Sequence, residues 1–241
     1  MNAARDPAQL FPAGTAVSHL AVYDWSGPDE FRGGSAHVHL ACTEGYLVTG
    51  GTGRLQTLSR DGFAETPLAP MTVAWFSPGV VHRLINDGRL QILVVMQNAG
   101  LPEAGDSVLT LPPDYLGDPE TYQAAATVEQ TSPLAADAAR HRRQLAVQGF
   151  LQLREKVERD GPKALEAFYA AAAALVRGRA PGWRDAWAQG PLAAALNTGE
   201  QLEELALGRY AHLRKGHLTV LSPPAERSYG MCGRLASYQV R

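Results

Sequence analysis

The sequence changes texture at Leu111-Pro112-Pro113, and that change limits the folds open to it more than any other single feature. Up to about residue 111, short β-type segments alternate with turn clusters. The segments 17–25, 36–42, 45–49, 54–59, 71–76, 82–85 and 90–97 all carry strand patterning. Gly50-Gly51-Thr52-Gly53 is a hairpin signal, and Asn86-Asp87-Gly88 a second tight turn. The glycine cluster lacks the lysine and hydroxyl of a phosphate-cradling loop, so it is assigned to turn chemistry. Short, regularly spaced strands with glycine turns predict an antiparallel sandwich or barrel over residues 1–111.

Residues 112–241 read as a mostly helical extension, making the whole an α+β chain. A short helix is expected over 119–129. Thr131-Ser132-Pro133 has the form of a helix start, a hydroxyl followed by proline, and that helix extends to about residue 159. Asp160-Gly161-Pro162 stops it and introduces an alanine-rich helix over 163–177. Pro181-Gly182 leads into Trp183 and Trp187, which at i, i+4 share a helical face and are read as core. A further helix is expected over 200–213, and 217–221 has a strand-like pattern suited to pairing with a barrel edge. The expected roles of the extension are a cap over the barrel mouth or a homodimer interface.

Chemistry concentrates in four residues. His37 and His39 flank one residue, so in an extended strand both project from the same face. Glu44 has the wrong parity to continue that strand, so the chain must break over 40–43 and resume with Glu44-Gly45, placing Tyr46 and Val48 on the glutamate's face. His82 follows the turn-like Ser77-Pro78-Gly79 and comes from a later strand. Three imidazoles and one carboxylate are the donor types that hold a single divalent ion.

These residues carry a resemblance. His37-x-His39, four residues, Glu44, six residues and Gly51 resembles the first motif of the cupin superfamily, and Gly79-x-x-His82-x-x-x-Asn86 resembles the second. Phe31 stands where a glycine is usual six residues before the first histidine, although Gly33 and Gly34 are close by. Pro70 and Phe76 stand where glycine and proline are usual in the second motif, and Pro78 directly precedes Gly79. The departures touch turn chemistry and leave all four ligand positions filled. The resemblance covers roughly residues 15 to 100. It implies a jelly-roll barrel with one divalent metal ion (Fe, Mn, Ni or Zn) on His37, His39, Glu44 and His82.

For an intact four-ligand set the resemblance implies, first, dioxygenase chemistry on a small substrate that chelates through oxygen atoms, as in flavonol, acireductone and diketone cleavage. Non-oxidative relatives isomerise or decarboxylate, and other cupins only bind a sugar or small acid. The imidazoles are expected to coordinate as neutral rings, each oriented by a partner on its other nitrogen, with metal lost as pH falls through about 6. Glu44 is either a ligand or a base on substrate, and Tyr46 is a candidate hydrogen-bond donor in the pocket. Arg83, beside His82, is expected to point outward by strand parity.

Composition excludes several classes. The formal charge is −2, with 6 basic and 11 acidic side chains in residues 1–117 and 16 and 13 in 118–241, too slight a bias for a nucleic-acid partner. A cupin followed by helices is similar in outline to sugar-responsive regulators of the AraC type. No compact helix-turn-helix pattern accompanies it, and Arg140-His141-Arg142-Arg143 reads as a solvated helix face. The longest run without polar breaks, 168–176, is too short to span a bilayer, and the N-terminal segment lacks a secretory apolar core. The two cysteines, Cys42 and Cys232, do not make a disulfide framework; Cys42 is read as a buried thiol, and a cytoplasmic location is expected.

Overall fold

The structure is a computed structural model, and it describes residues 10–238. Nine strands and six α-helices are described: β1 Ala16–Val22, β2 His37–His39, β3 Glu44–Ser59, β4 Gly62–Leu68, β5 Val73–Phe76, β6 Val81–Met96, β7 Ser107–Leu109, α1 Pro113–Leu116, α2 Pro119–Ala126, α3 Ala135–Asp160, α4 Leu165–Val176, α5 Ala180–Trp187, α6 Ala193–Ala206, β8 Ser228–Tyr229 and β9 Gly233–Tyr238.

The framework is the antiparallel ladder between β3 and β6, each 16 residues long. Bulges between Val48 and Gly53 fold this ladder over on itself. Its first half, Glu44–Val48 against Ile92–Met96, belongs to one sheet with β5 on one side and β1, β9 and β8 on the other. Its second half, Gly53–Leu58 against Val81–Asn86, belongs to the facing sheet with β4, β2 and β7. Leu20, Tyr46, Val48, Ile92 and Val94 from the first sheet and Val38, Leu55, Leu58, Leu84 and Leu109 from the second lie in one buried apolar cluster. This is a barrel of two facing antiparallel sheets, followed by helices.

Gly50-Gly51-Thr52-Gly53 is therefore a bend within one strand where the sequence suggested a hairpin. The same holds for Asn86-Asp87-Gly88, which lies inside β6. Gly51 has φ +71°, and a β-carbon there would stand 2.2 Å from the Arg89 carbonyl oxygen, so the crossing of the two bent strands requires glycine. Strand β4, unforeseen because its residues are largely exposed, fills the sheet edge.

Burial along β6 reports what covers each sheet. Every residue from Val81 to Asn86 is buried, whereas 90–96 alternate between buried and more exposed. The outer face of the second sheet is covered by the 26-residue helix α3; the outer face of the first is open, with Val73 and Trp75 exposed. Gly149 lets α3 approach the backbone of Thr110 and Leu111, and Thr110 Oγ1 donates to the Ala146 carbonyl at 2.7 Å.

That covering reverses two expectations. Arg83 is buried, only 1% exposed: its parity does turn it away from the barrel interior, but toward α3 instead of solvent. Its Nε donates to Gln56 Oε1 at 2.7 Å, it pairs with Asp29, and its guanidinium lies 4.9 Å above the Phe150 ring. Arg142 and Arg143 are buried too, donating to backbone carbonyls of Gly230, Ala126, Gly33 and Phe31. Only part of the basic run is a solvated face, because long side chains can staple a helix to loop carbonyls.

The C-terminal region departs further. Helix α3 begins four residues after Thr131, α6 ends at Ala206, and Trp187 is exposed while Trp183 is buried. Residues 217–221 form no strand; β8 and β9 supply the returning strands, and β9 pairs with β1. No helix among the described residues is long and apolar enough to cross a membrane.

Candidate metal centre

The folded ladder explains how residues distant along it meet. Glu44 begins β3 and pairs with Met96, whereas His82 pairs with Thr57 near the other end. Because the ladder doubles back, Glu44 Oε2 stands 3.1 Å from His82 Nε2 and 3.3 Å from His39 Nε2. His37 is the cross-strand partner of His82, and its ring centroid lies 4.2 Å from that of His82. One sheet thus contributes three imidazoles and the other a carboxylate. All four are buried, and one candidate donor atom from each lies within 4.8 Å of the rest.

Each ring is oriented from behind. His37 Nδ1 lies 3.0 Å from the Ser35 carbonyl oxygen, and His82 Nδ1 lies 3.0 Å from that of Val80. A carbonyl only accepts, so Nδ1 carries the proton in both neutral rings and the Nε2 lone pair faces the centre. His39 Nδ1 is 2.9 Å from Oδ2 of the buried Asp106. His82 Nε2 and Glu44 Oε2, though close, are lone pair against lone pair: neither has a hydrogen-bond partner among the described residues. Two buried acceptors in apposition are costly unless a cation lies between them. Neighbouring ligands on one ion, at bonds of about 2.1 Å, stand about 3 Å apart, which these separations match. The residues fit a divalent ion.

The electrostatics follow the same arrangement. Burial lowers the pKa of His37, and the nearby His82 and His39 lower it further, so this ring is held neutral. Burial also opposes charge on His39, but Asp106 and Glu44 more than offset it and raise its pKa to about 9 in the metal-free protein. Burial would raise the Glu44 carboxyl; His39 beside it, charged in the metal-free protein, instead holds it well below the ordinary range. Tyr46 shares the inward face of Glu44. Its hydroxyl is buried without a partner among the described residues, and burial together with the Glu44 charge keeps it a neutral phenol.

Phe76, the cross-strand partner of Glu44, lays its ring 4.2 Å from His82 and 5.4 Å from Tyr46, closing the centre on the side of β5. Beyond it opens a cleft of about 1500 Å³, lined by Leu40, Phe76, Pro78 and Val80 on the barrel and Tyr169 and Ala173 on α4. Tyr169 donates its hydroxyl to the Gly79 carbonyl at 2.7 Å, tying α4 to the turn before His82.

Asp106 is the site residue that sequence reading missed. Its sequence neighbourhood is loop-like, its strand β7 is three residues long, and nothing in spacing links it to a histidine 67 positions earlier. Cys42 is a buried free thiol, as is Cys232.

No protein-family model matches the sequence, and no curated protein does. Among solved structures, part of the chain is similar to an uncharacterized conserved protein with a double-stranded β-helix domain from Klebsiella pneumoniae. The identity is 20% and the TM-score 0.26, over 34% of this chain and 64% of that one. A cupin protein from Bacteroides fragilis gives 17% identity and a TM-score of 0.27, over 36% and 65%. Pac13 of Streptomyces, a nucleoside dehydratase, gives 14% identity and a TM-score of 0.31, over 41% and 69%. The chain thus spans a little under two thirds of the first two proteins.

Proposed function

We propose that this barrel is a mononuclear metal-dependent enzyme acting on a small organic substrate that chelates through oxygen, with dioxygenase-type cleavage as its reaction. The observation that carries the reading is the inward convergence of three imidazole nitrogens and the Glu44 carboxylate within 4.8 Å of one another, with the Nδ1 atom of each ring held by a fixed acceptor. A divalent ion on His37, His39, Glu44 and His82 would supply Lewis-acid and redox capacity with coordination positions left for substrate.

The chain's own residues do the rest. His37 and His82 present Nε2 because backbone carbonyls fix their Nδ1 protons. Glu44 supplies negative charge and, where a ligand position is vacated, a base within reach of a bound substrate. Tyr46 offers a phenolic proton beside it, held neutral by burial. Phe76, with Val94 and Met96 as the inward neighbours of Tyr46 and Glu44 across β6, keeps the surroundings apolar and excludes water. The cleft between the barrel and α4, which shares Phe76 with the surroundings of the centre, is the approach route in this reading.

The partnerless Tyr46 hydroxyl beside a carboxylate favours a second reading, non-oxidative isomerisation or decarboxylation by proton transfer. Oxygen uptake separates the two. Protein loaded anaerobically with Fe(II) or Ni(II) is offered a β-diketone, a flavonol and an acireductone in an oxygen electrode. Oxygen consumption matched to substrate loss, abolished in His82→Ala and slowed in Tyr46→Phe with metal retained, is the expected result. Turnover without oxygen uptake transfers the assignment to the second reading; saturable binding without turnover refutes both.

A further inference from the structure

Of the three histidines, only His39 is backed by a charge. Three donors converge on the two oxygens of Asp106: the Leu40 and Ala41 amides on Oδ1 at 3.2 and 2.7 Å, and His39 Nδ1 on Oδ2 at 2.9 Å. The Asp106 side chain is fully buried. The 97–106 loop that delivers it is fastened at several points. Asn98 donates to the Ala41 carbonyl at 3.1 Å, and the Asp106 amide donates to Leu101 at 3.1 Å. From the helical region, Trp183 Nε1 on α5 donates to the Ala104 carbonyl at 3.3 Å, and the Arg179 guanidinium lies against Gly105 where a β-carbon would stand.

We propose that Asp106 is a positioning residue that fixes which nitrogen of His39 faces the centre, and that helix α5 holds the loop delivering it. The inference rests on the metal-centre reading above, which no residue of α5 enters. Its consequence is that the C-terminal helices reach a ligand through a path of three residues, Ala104 to Asp106.

Asparagine at this position is nearly isosteric and shows why the carboxylate is needed. It has one oxygen and one NH2 where three donors demand two oxygens. Turning its oxygen to the two backbone amides satisfies more donors, and its NH2 then faces His39 Nδ1. That nitrogen must become the acceptor, which moves the ring proton to Nε2 and occupies the lone pair a metal requires.

The test has two readouts, one of which needs no metal. In Asp106→Asn, affinity for Zn(II) or Ni(II), measured by competition with a chromogenic chelator, is expected to fall about 10- to 100-fold. In the metal-free protein, nitrogen-15 NMR of the imidazole rings should show a slowly exchanging Nδ1 proton on His39, lost in the variant while the His37 and His82 signals persist. Trp183→Phe, which keeps the ring and removes the donor, should speed amide exchange at Asp106 several-fold. Near-wild-type affinity together with an unchanged His39 signal in Asp106→Asn would overturn the proposal, and unchanged exchange in Trp183→Phe would remove α5 from it. A wild-type protein that binds no metal yet shows the His39 signal lost in Asp106→Asn would sink the metal reading and leave the positioning role standing.

Discussion

Replacing Gly149 by alanine sets two effects of known size against each other in the middle of α3. Helix propensity alone favours the change, by about 1 kcal/mol for Gly→Ala in a helix interior. Packing opposes it. A β-carbon on Gly149 would lie 1.9 Å from the Thr110 carbonyl oxygen and 2.7 Å from the Leu111 carbonyl carbon, both backbone atoms. Reaching ordinary contact near 3.5 Å requires the helix and the segment 110–111 to part by about 1.5 Å. That movement breaks the 2.7 Å bond from Thr110 Oγ1 to Ala146, about 1 kcal/mol, and adds about 1–3 kcal/mol of overpacking strain. The net expectation is a loss of about 1–3 kcal/mol, or a Tm lower by about 3–10 °C for a chain of this size. Thermal and urea denaturation of metal-free protein measure it directly. Gly199→Ala in α6 is the matched control: no atom lies within 4 Å of the added carbon, so propensity acts alone and stability should rise by up to about 1 kcal/mol. If Gly149→Ala melts at or above wild type, the close approach of α3 to the 110–111 backbone is wrong.

Three further outcomes are expected. His39→Ala and His82→Ala should each retain a folded barrel by circular dichroism yet lose the roughly one equivalent of metal expected of wild type by elemental analysis; stoichiometric metal in either variant sinks the ligand assignment. For pH, the folded-state pKa of His39 near 9 lies above its unfolded value, so its contribution to the metal-free protein is complete below about 6.5 and lost as pH rises through about 9. Metal loading at pH 7.5 should therefore release about one proton, detectable as buffer-dependent heat in calorimetry, and the release should fade above pH 9; proton-free loading at pH 7.5 contradicts the Asp106–His39–Glu44 arrangement. Arg143→Met removes the donor to the Gly33 and Phe31 carbonyls while keeping the stem, and urea unfolding should show a loss of about 2 kcal/mol.

The candidate centre was more legible than its surroundings. His37 and His39 could be placed on one face because strand periodicity is rigid, and the parity failure at Glu44 located the chain break that the structure has between β2 and β3. The same local logic failed at Gly50-Gly51-Thr52-Gly53, since glycines permit both a reversal and a bulged bend, and only pairing with distant β6 selects the bend. Arg83 was placed on the correct face and assigned the wrong environment, because parity tells a face from its opposite and says nothing of a helix that starts far later in the chain, at Ala135. Asp106 had no periodic or motif signal; its partner is set by tertiary closure of a loop.

The doubled-over ladder of β3 and β6 gives the metal centre a mechanical meaning. Glu44 lies at one end of that ladder and His82 near the other, with the glycine bend as the fulcrum between them. A shared ion would therefore act as a clasp across the open ends of a folded spring, resisting separation of the two sheets. Since each long strand serves both sheets, neither sheet can peel away alone, and opening the clasp is coupled to loosening the whole barrel. Stabilisation by a bound ion, growing as RT ln(1 + [L]/Kd), would then reach amides at the bend, far from any ligand, as strongly as those beside the histidines.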